Sequence, residues 1–284
     1  MNAPQPLPTD TGTTLKTLRT LHRGPILHVE LHEPGYGNAI TEAMLDDLLA
    51  VLGTPDPSVR VIVLSGSGDD FCLGGDRTEY DASLRHDPTG SGVRTSTAKA
   101  RLVCEALSAN AAVTIAKVHG KAIGAGLGLA LACDLRVGAE TASFRLPELA
   151  LGLPTAWGGL LPRLLNEVGA PRVRELVLTG RAFDAREACS LGILQKVVPE
   201  NELDKAVDEW ARPVIRRPED ALRITKTLFN AYAAPTRLAD ASALDAELMA
   251  SIVAARHHVH ADRLPPPKAP PLRSAPVRAL RARR

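Results

Sequence analysis

The glycine-rich stretch HGKAIGAGLGLALACDLR, at residues 119–136, has a spacing of residues that could bind a ligand or take part in catalysis. Gly124, Gly126 and Gly128 alternate in it, and an apolar run follows. A dinucleotide-binding loop needs Gly-x-Gly-x-x-Gly, but Leu129 stands where the last glycine belongs, so the spacing argues against that ligand. A buried helix explains the leucines but not the glycines, because glycine in a helix costs about 0.5–1 kcal/mol relative to alanine.

Glycines at the beginning of a helix favour a third function, the binding of an oxygen atom by backbone N–H groups. The first N–H groups of a helix have no partner within it, and the helix dipole makes this end positive. Donors aimed at a developing negative charge form an oxyanion hole. The turn Gly74-Gly75-Asp76, which follows a buried strand, can supply the second donor. Together the two turns predict a site that stabilises an oxyanion.

The elements that must position these turns follow from the spacing of apolar residues. Alternating apolar residues predict a β-hairpin over residues 15–31, and an apolar stripe predicts a helix over 41–52 that is capped by Thr41. Further segments are predicted as strands at 59–64 and 113–118, and as helices throughout 201–258. Strands that alternate with helices, followed by helices alone, indicate an α/β fold with parallel strands and a helical C-terminal part.

Composition narrows the classes of partner. Of the 284 residues, 45% are hydrophobic and 23% are charged, which is typical of a globular protein. The net charge of +2 conceals a basic C-terminus, because residues 263–284 contain seven Lys or Arg and no acid. The rest of the chain is therefore net acidic and offers no basic face for nucleic acid. Four widely spaced cysteines without a Cys-x-x-Cys motif predict neither a zinc site nor a disulfide framework.

The chain divides into four predicted parts. The Pro/Thr-rich residues 1–13 and the Pro/Arg-rich residues 263–284 are predicted to be disordered tails. Residues 14–200 are predicted to form the core, and 201–262 a helical region. No basic segment followed by an apolar one begins the chain, so we expect no signal peptide. The longest apolar run, near 122–133, is shorter than the ~20 residues that a membrane span needs. We expect a cytoplasmic protein that does not bind membranes.

Four motifs in order resemble the crotonase (enoyl-CoA hydratase/isomerase) superfamily. FCLGGD at 71–76 resembles the family's Phe-x-x-Gly-Ala-Asp, and VHGKAIGAGLGLALACDL at 118–135 resembles its Val-Asn-Gly-x-Ala-x-Gly-Gly-Gly-x-x-Leu-Ala-x-x-Cys-Asp. FRLPELALGLPTAWGGLLPRL at 144–164 resembles its Pro-Glu segment, and LVLTGRAFDAREACSLGILQKVVP at 176–199 resembles the helices beyond it. The likeness spans roughly residues 15–235. It implies a crotonase-like spiral of ββα units with a helical C-terminal region.

This resemblance implies a site that binds an acyl-CoA thioester and holds its oxygen as an enolate forms. Gly75 falls on one backbone oxyanion donor of the family, and Ala125 falls on the other. The implied substrate contacts are Leu73, Gly75, Asp76, Arg77, Thr78, Gly124 and Trp157. Trp157 either shapes the acyl pocket or only packs in the interior. No cofactor is expected beyond the coenzyme A of the substrate.

The resemblance also implies which reaction the site performs. Hydratases of the family use two glutamates, of which the second falls on Glu148 and the first on Gly128, which has no carboxyl group. Isomerases of the family resemble this pattern better, since one glutamate takes a proton from C2 and returns it at C4. Glu148 could do this alone, and an apolar pocket should raise its pKa, which suits a base that must donate the proton again.

Other functions on the same fold remain open. Hydration, or another lyase reaction such as decarboxylation, could proceed with Glu148 as the only glutamate. A homologue without catalytic activity could bind acyl thioesters of CoA or of a carrier protein. Dehalogenases of the family need an aspartate a few residues beyond Glu148, where this chain has Pro-Thr-Ala-Trp at 154–157. By analogy with the family, we expect a homotrimer or a dimer of trimers.

Several other polar residues have simpler interpretations. His119 lies at a predicted strand end and is expected to be structural, and Asp134 is expected to bond to backbone. Asp76 is expected to cap the helix that follows it. Glu79, Tyr80 and Asp81 lie where the pocket wall is expected and could touch substrate, although a solvated loop is the simpler interpretation. His257, His258 and His260 are expected on a helix surface. These histidines lie near no cysteine and near only one acidic residue, Asp262, so no metal site is predicted.

Overall fold

The structure, a computed structural model, describes residues 11–53, 56–237 and 245–261. Within these residues the strands are β1 (Thr11–Thr14), β2 (Leu18–Arg23), β3 (Ile26–Leu31), β4 (Val61–Gly66), β5 (Val113–Val118), β6 (Lys121–Ile123), β7 (Leu135–Ala139), β8 (Ser143–Arg145), β9 (Ala182–Asp184) and β10 (Lys196–Val198). The helices are α1 (Glu42–Gly53), α2 (Arg77–His86), α3 (Ser91–Ser108), α4 (Ala125–Ala132), α5 (Leu160–Glu167), α6 (Ala170–Thr179), α7 (Ala185–Ser190), α8 (Leu203–Ile215), α9 (Glu219–Arg237) and α10 (Asp245–Ala261).

The larger sheet has the strand order β1-β2-β3-β4-β5-β7-β10. Its first three strands are antiparallel, and β2 pairs with β3 so that Leu18 faces Leu31 and Arg23 faces Ile26, which confirms the predicted hairpin. From β3 onward the strands are parallel, as the alternation of strands and helices predicted. Parallel strands direct their carboxyl ends to one edge of a sheet, and segments that leave that edge can meet.

A smaller sheet, in the order β6-β8-β9, brings two distant parts of the sequence together. β6 and β8 are parallel, with Ile123 opposite Arg145. Because Gly124 directly follows β6 and Glu148 lies three residues after β8, this register places them side by side. The rings of Phe144 and Phe183 stack at 5.4 Å between β8 and β9 and hold the small sheet together.

The core lies between the large sheet and the helices. All six residues of β4 and all eight residues of α4 are buried, so α4 is a helix enclosed on every side. The buried face of α1 carries the stripe that the sequence predicted, namely Met44, Leu45, Leu48 and Leu52. Thr41 Oγ1 accepts a hydrogen bond from the Met44 N–H at 3.2 Å, which confirms Thr41 as the cap of this helix.

The C-terminal region is helical, with α8, α9 and α10 in the range where the sequence predicted helices. Lys226 of α9 reaches Asp134 at 2.6 Å, and Arg94 of α3 pairs with Glu247 of α10 at 2.6 Å. These ion pairs fasten the last two helices to the core. Residues 11–13, which the sequence assigned to the N-terminal tail, lie instead in β1 and pair with β2. The other residues of both predicted tails, 1–10 and 263–284, lie outside the described residues.

Candidate active site

Gly75 lies at the end of an extended segment, residues 72–75, that runs between two other stretches of backbone. On one side the Ile40 N–H donates to Gly74 O at 2.8 Å and Ile40 O accepts from the Asp76 N–H at 2.9 Å. On the other side Cys72 O accepts from the Ile123 N–H at 2.9 Å. In a parallel bridge, the residue between two bonded neighbours directs its own N–H and C=O to the opposite side. The Gly75 N–H therefore points away from Ile40.

Ala125 provides the first N–H of helix α4. Gly124, with φ 51° and ψ −114°, turns the chain from β6 into this helix through a conformation that only glycine adopts readily. Because Ala125 begins the helix, its N–H has no acceptor within the helix. A β-carbon at Gly74 would lie 3.8 Å from Ala125 N, so segment 72–75 touches the start of α4. The two predicted oxyanion donors, Gly75 and Ala125, thus lie on adjoining segments of backbone.

Gly126 explains how the helix comes so close to that segment. A β-carbon at this position would lie 2.3 Å from Cys72 O, far inside van der Waals contact. Any other residue would push α4 away from residues 72–75 and separate the two donors. The glycine is therefore present because two backbones meet here, which is the close approach that the sequence indicated.

Glu148 begins a short 3-10 turn, Glu148–Leu151, and lies directly against the start of α4. A β-carbon at Gly124 would lie 2.7 Å from Glu148 Oε1. The other oxygen, Oε2, is buried and has no hydrogen-bond partner among the described residues. Burial raises the pKa of this carboxyl group, opposed in part by a hydrogen bond from its own backbone N–H. A half-buried carboxyl group with an unoccupied oxygen can accept a proton from a ligand and return it.

Trp157 occupies the place that faces Gly128. A β-carbon at Gly128 would lie 2.9 Å from Cε3 and 3.0 Å from Cζ3 of the indole. The ring is only 5% exposed, so it forms part of the interior and of the wall beside α4. Gly128 donates its N–H to Gly124 O at 3.0 Å, so Gly124, which precedes α4 and is not helical, lies one turn before Gly128. Glu148 therefore lies against the start of α4, and Trp157 lies against it about one turn further along.

Tyr80 lies at the expected pocket wall, but within a helix and largely buried rather than on the solvated loop that the sequence favoured for Glu79, Tyr80 and Asp81. These residues belong to α2, and the Tyr80 phenol lies against Gly75, where a β-carbon would be 3.3 Å from Oη. Burial raises the pKa of Tyr80 to about 12, although the side chains of Ser96 and Trp157 face the phenol and oppose the shift. The signal was available in the sequence, since a helix capped by Asp76 brings a residue four positions later back to the same face.

The remaining predicted substrate contacts cluster around the same turn. Asp76 Oδ1 accepts the Thr78 N–H at 2.7 Å, which confirms the predicted cap of α2. Arg77 and Thr78 are exposed in the first turn of that helix. Leu73 is 41% exposed and packs over Gly37, whose carbonyl accepts the Leu73 N–H at 2.9 Å. The structure thus brings these residues to one rim beside Gly75.

Asn38 supports this rim from below, although no sequence pattern pointed to it. It is fully buried and has a positive φ of 51°, a conformation that asparagine tolerates better than most residues. Its Nδ2 donates to Ser67 O and to Asp70 O, both at 2.8 Å, and its Oδ1 accepts from the Glu33 N–H at 2.9 Å. These bonds fix the loop that leads into segment 72–75.

Two other candidate residues have the structural roles that the sequence indicated. His119 Nε2 lies 2.8 Å from Gly68 O, a hydrogen bond to backbone. Asp134 accepts from the Thr114 N–H at 2.8 Å and also pairs with Lys226. Glu79 accepts the Glu42 N–H at 2.8 Å and so caps α1 rather than lying free in solvent.

Among the described residues, no group of three His, Cys, Asp or Glu side chains is arranged to hold a metal ion. The side chains of His257, His258 and His260 lie outside the part of the chain that the structure describes. None of the described helices is both long enough and apolar enough to cross a bilayer.

Comparisons with known proteins show which family the chain belongs to. A family model described as enoyl-CoA hydratase/isomerase matches residues 22–261. The chain is 34% identical over 214 residues to mevalonyl-coenzyme A hydratase SIDH of Beauveria bassiana, a match that covers 71% of this chain and 74% of the relative. It is 36% identical over 192 residues to a probable enoyl-CoA hydratase, echA17, of Mycobacterium avium, covering 66% and 72% of the two chains.

A solved structure extends the likeness to the fold. The putative enoyl-CoA hydratase of Thermobifida fusca in complex with acetoacetyl-CoA superimposes with a TM-score of 0.70 and 31% identity. The superposition covers 86% of this chain and 95% of that one. The chain therefore has the crotonase fold and belongs to the enoyl-CoA hydratase/isomerase family. It is an enzyme of that family, as the four sequence motifs predicted.

Proposed function

We propose that the protein is an enoyl-CoA isomerase that moves a double bond from the 3 to the 2 position with Glu148 as its single acid and base. One observation carries this proposal. The indole of Trp157 lies where a side chain at position 128 would point, so the described site holds one carboxyl group at the start of α4 and not two.

The proposed reaction needs only groups that this chain supplies. The Glu148 carboxylate removes a proton from C2 of a 3-enoyl thioester, and the electron pair moves into the conjugated system and onto the thioester oxygen. The N–H groups of Gly75 and Ala125 hold that oxygen as the negative charge develops. The Glu148 carboxylic acid then returns the proton to C4, and the double bond forms between C2 and C3. No water or oxidant is consumed.

The electrostatics of Glu148 support this assignment. A base that takes a proton from carbon and returns it works best when its pKa lies near the working pH, and burial raises the pKa of this carboxyl group. Its Oε2 has no competing hydrogen bond in the described structure, so it is available for the transferred proton. Coenzyme A enters only as part of the substrate.

Hydration is the second candidate, because two relatives with more than 30% identity are named as hydratases. It requires a water molecule that is held and deprotonated beside C3, and in the paired mechanism two carboxylates do this. Here Trp157 contributes an apolar edge beside Gly128, which disfavours such a water. Decarboxylation and binding without catalysis remain alternatives with the same oxyanion donors, as does a carrier-protein thioester in place of CoA.

We also propose assembly into a homotrimer or a dimer of trimers. Ile224 and Leu228 of α9 are 50% and 45% exposed and lie one turn apart on one face of the helix, and Phe229 beside them is 69% exposed. Exposed apolar patches of this kind mark surfaces that a protein partner covers. Analytical ultracentrifugation of the full chain tests this, and a monomer at micromolar concentration would contradict it.

One set of assays tests the reaction. We expect 3-enoyl-CoA to be converted to 2-enoyl-CoA, 2-enoyl-CoA to be hydrated much more slowly, and Glu148→Gln to abolish the isomerisation. In D2O, partial retention of the substrate proton at C4 would identify a single base that carries it. Faster hydration than isomerisation would overturn the proposal in favour of a hydratase. Binding without either reaction would indicate a protein without catalytic activity.

A further inference from the structure

We propose that Trp157, positioned by Tyr80, closes the acyl pocket about one helical turn from the oxyanion donors and restricts the enzyme to short acyl groups. This inference rests on the proposed acyl-thioester site. It does not depend on whether isomerisation or hydration takes place there.

The indole of Trp157 lies where an acyl chain would pass along α4. Glu148 lies beside Gly124 at the start of α4, and Trp157 lies beside Gly128. Side chains on a helix lean toward its N-terminus. A β-carbon at Gly128 would therefore point toward the start of α4, and the indole lies in that direction. The ring therefore covers the turn that begins with Ala125. An acyl chain that leaves Ala125 and passes Glu148 meets this ring next.

The distance along α4 from the oxyanion donor to the indole sets the length of the acyl chain. One turn of helix is about 5.4 Å long. An extended chain advances roughly 1.1–1.2 Å per covalent bond, as it does along an extended peptide. About four or five covalent bonds therefore span one turn. Counted from the thioester oxygen, whose first bond ends at C1, these bonds end at C4 or C5, and we infer a limit at acyl groups of roughly four or five carbons.

Contacts at two edges hold the indole of Trp157 in place. The edge of the indole that carries Cε3 and Cζ3 lies over Gly128, and the opposite edge, with the indole N–H, faces the Tyr80 phenol. Tyr80 in turn lies against Gly75. The pair thus spans the pocket from α4, which carries one oxyanion donor, to the turn that carries the other. An indole contacted at both edges cannot swing aside without moving Tyr80.

Tyr80 is itself supported by a second apolar cluster, formed by Leu84, Val93, Met249 and Val253, against which its ring packs. Met249 and Val253 belong to α10, which is fastened to α3 by the ion pair between Arg94 and Glu247. Helix α10 therefore packs behind Tyr80 and supports it, and Tyr80 in turn supports Trp157. In this arrangement Tyr80 is a positioning residue, while Trp157 determines the length of the substrate.

Binding measurements test the proposal without requiring turnover. Calorimetric titration with butyryl-, octanoyl- and dodecanoyl-CoA should show that the wild type binds the butyryl ester at least about tenfold more tightly than the octanoyl ester, a difference of about 1.4 kcal/mol. Trp157→Ala should remove this discrimination, since Gly128 has no side chain to fill the vacated space. Trp157→Leu serves as a second variant if the alanine variant does not fold. Trp210→Phe, which alters the other tryptophan, should keep the wild-type profile.

Tyr80→Phe tests the positioning role, because it keeps the ring and removes the hydroxyl group. In a Trp210→Phe background all tryptophan fluorescence comes from Trp157. We expect Tyr80→Phe to increase quenching of that fluorescence by acrylamide and to weaken the discrimination against octanoyl-CoA. Equal binding of all three esters by the wild type, or an unchanged profile in both Trp157 variants, would overturn the proposal. A clear length limit without isomerase activity would refute the proposed reaction and leave this inference in place.

Discussion

Gly128 and Trp157 fit each other so closely that neither position can gain an atom: a β-carbon at Gly128 would lie 2.9 Å from Cε3 and 3.0 Å from Cζ3 of the indole. The glycine and the tryptophan form one structural unit, in which the ring takes the space of the missing side chain. The lack of a carboxyl group at position 128 is therefore accompanied by a wall that fills its place. A vacant pocket would have left room for a water molecule beside C3.

The fit between these residues predicts a strong effect of one added methyl group. Gly128→Ala should destabilise the protein by about 1–3 kcal/mol, as overpacking does, despite the better helix propensity of alanine. In a Trp157→Phe background the same substitution should cost much less, because the smaller ring leaves room. Urea denaturation measures both differences. Gly53→Ala is the matched control, since among the described residues no atom beyond its own helix backbone and chain neighbours lies within 4 Å of the added carbon, and we expect it to be neutral or stabilising.

The oxyanion donor at Ala125 can be removed with little damage to the helix. Proline is well tolerated at the first position of a helix, so Ala125→Pro should fold while it lacks the N–H. Loss of one such donor costs about 2.7–4 kcal/mol of transition-state stabilisation, a reduction of kcat of about 10²–10³-fold. Ala125→Ser keeps the N–H and should stay close to wild-type activity. Full activity in a folded Ala125→Pro variant would refute the role of this donor.

Sequence reasoning located the groups that lie on the backbone or in continuous motifs. Gly75, Ala125 and Glu148 could be placed because each sits at a fixed offset in its motif and uses local geometry. Asp76 was expected to cap a helix, and it does so through the Thr78 N–H.

Contacts between distant segments were beyond the sequence. Trp157 could not be assigned to the space beside Gly128, because that contact depends on how the loop after Glu148 folds back over α4. Asn38 could not be recognised as the support of segment 72–75, since its partners, Ser67 and Asp70, lie in another loop. Tyr80 was expected on a solvated loop at the pocket wall, because its burial depends on contacts with α3 and α10, which lie far away in the sequence.

The ion pair between Lys226 and Asp134 should dominate the attachment of α9. The Lys226 side chain is only 8% exposed, and its Nζ also donates to Ala112 O at 2.8 Å. Lys226→Met leaves the Asp134 carboxylate, which is 26% exposed, with its Thr114 hydrogen bonds but without the lysine, so it should cost about 1–3 kcal/mol of unfolding free energy. Lys205→Met is the control, because Lys205 forms an exposed pair with Glu202 and should change stability by less than about 1 kcal/mol. Equal effects of the two substitutions in urea would contradict this account.

The Glu148 carboxylate should lower the stability of the folded protein while it supports activity. The two effects should depend on pH in different ways. Because burial raises the pKa of this carboxyl group in the folded protein above its ordinary value of 4.5, the native state holds the proton more tightly than the unfolded chain does. The stabilisation from this group is complete below the unfolded pKa and is lost as the pH rises through the folded pKa. Glu148→Gln resembles the protonated form at every pH. Its unfolding free energy should therefore match the wild type in acid and exceed it at neutral pH.

The activity of Glu148→Gln should fall, whereas its stability at neutral pH should rise. The wild-type kcat/KM for isomerisation should rise with pH along a limb whose midpoint lies above 4.5, because the base must be a carboxylate. Glu148→Gln should lose about 10²–10⁴-fold at all pH values, the usual contribution of a general base. Thermal unfolding and initial rates across the same buffers measure both quantities, and Glu140→Gln on the exposed surface is the control that should change neither. A Glu148→Gln variant that is less stable than the wild type at neutral pH would show that the carboxylate makes a favourable contact that the structure does not contain.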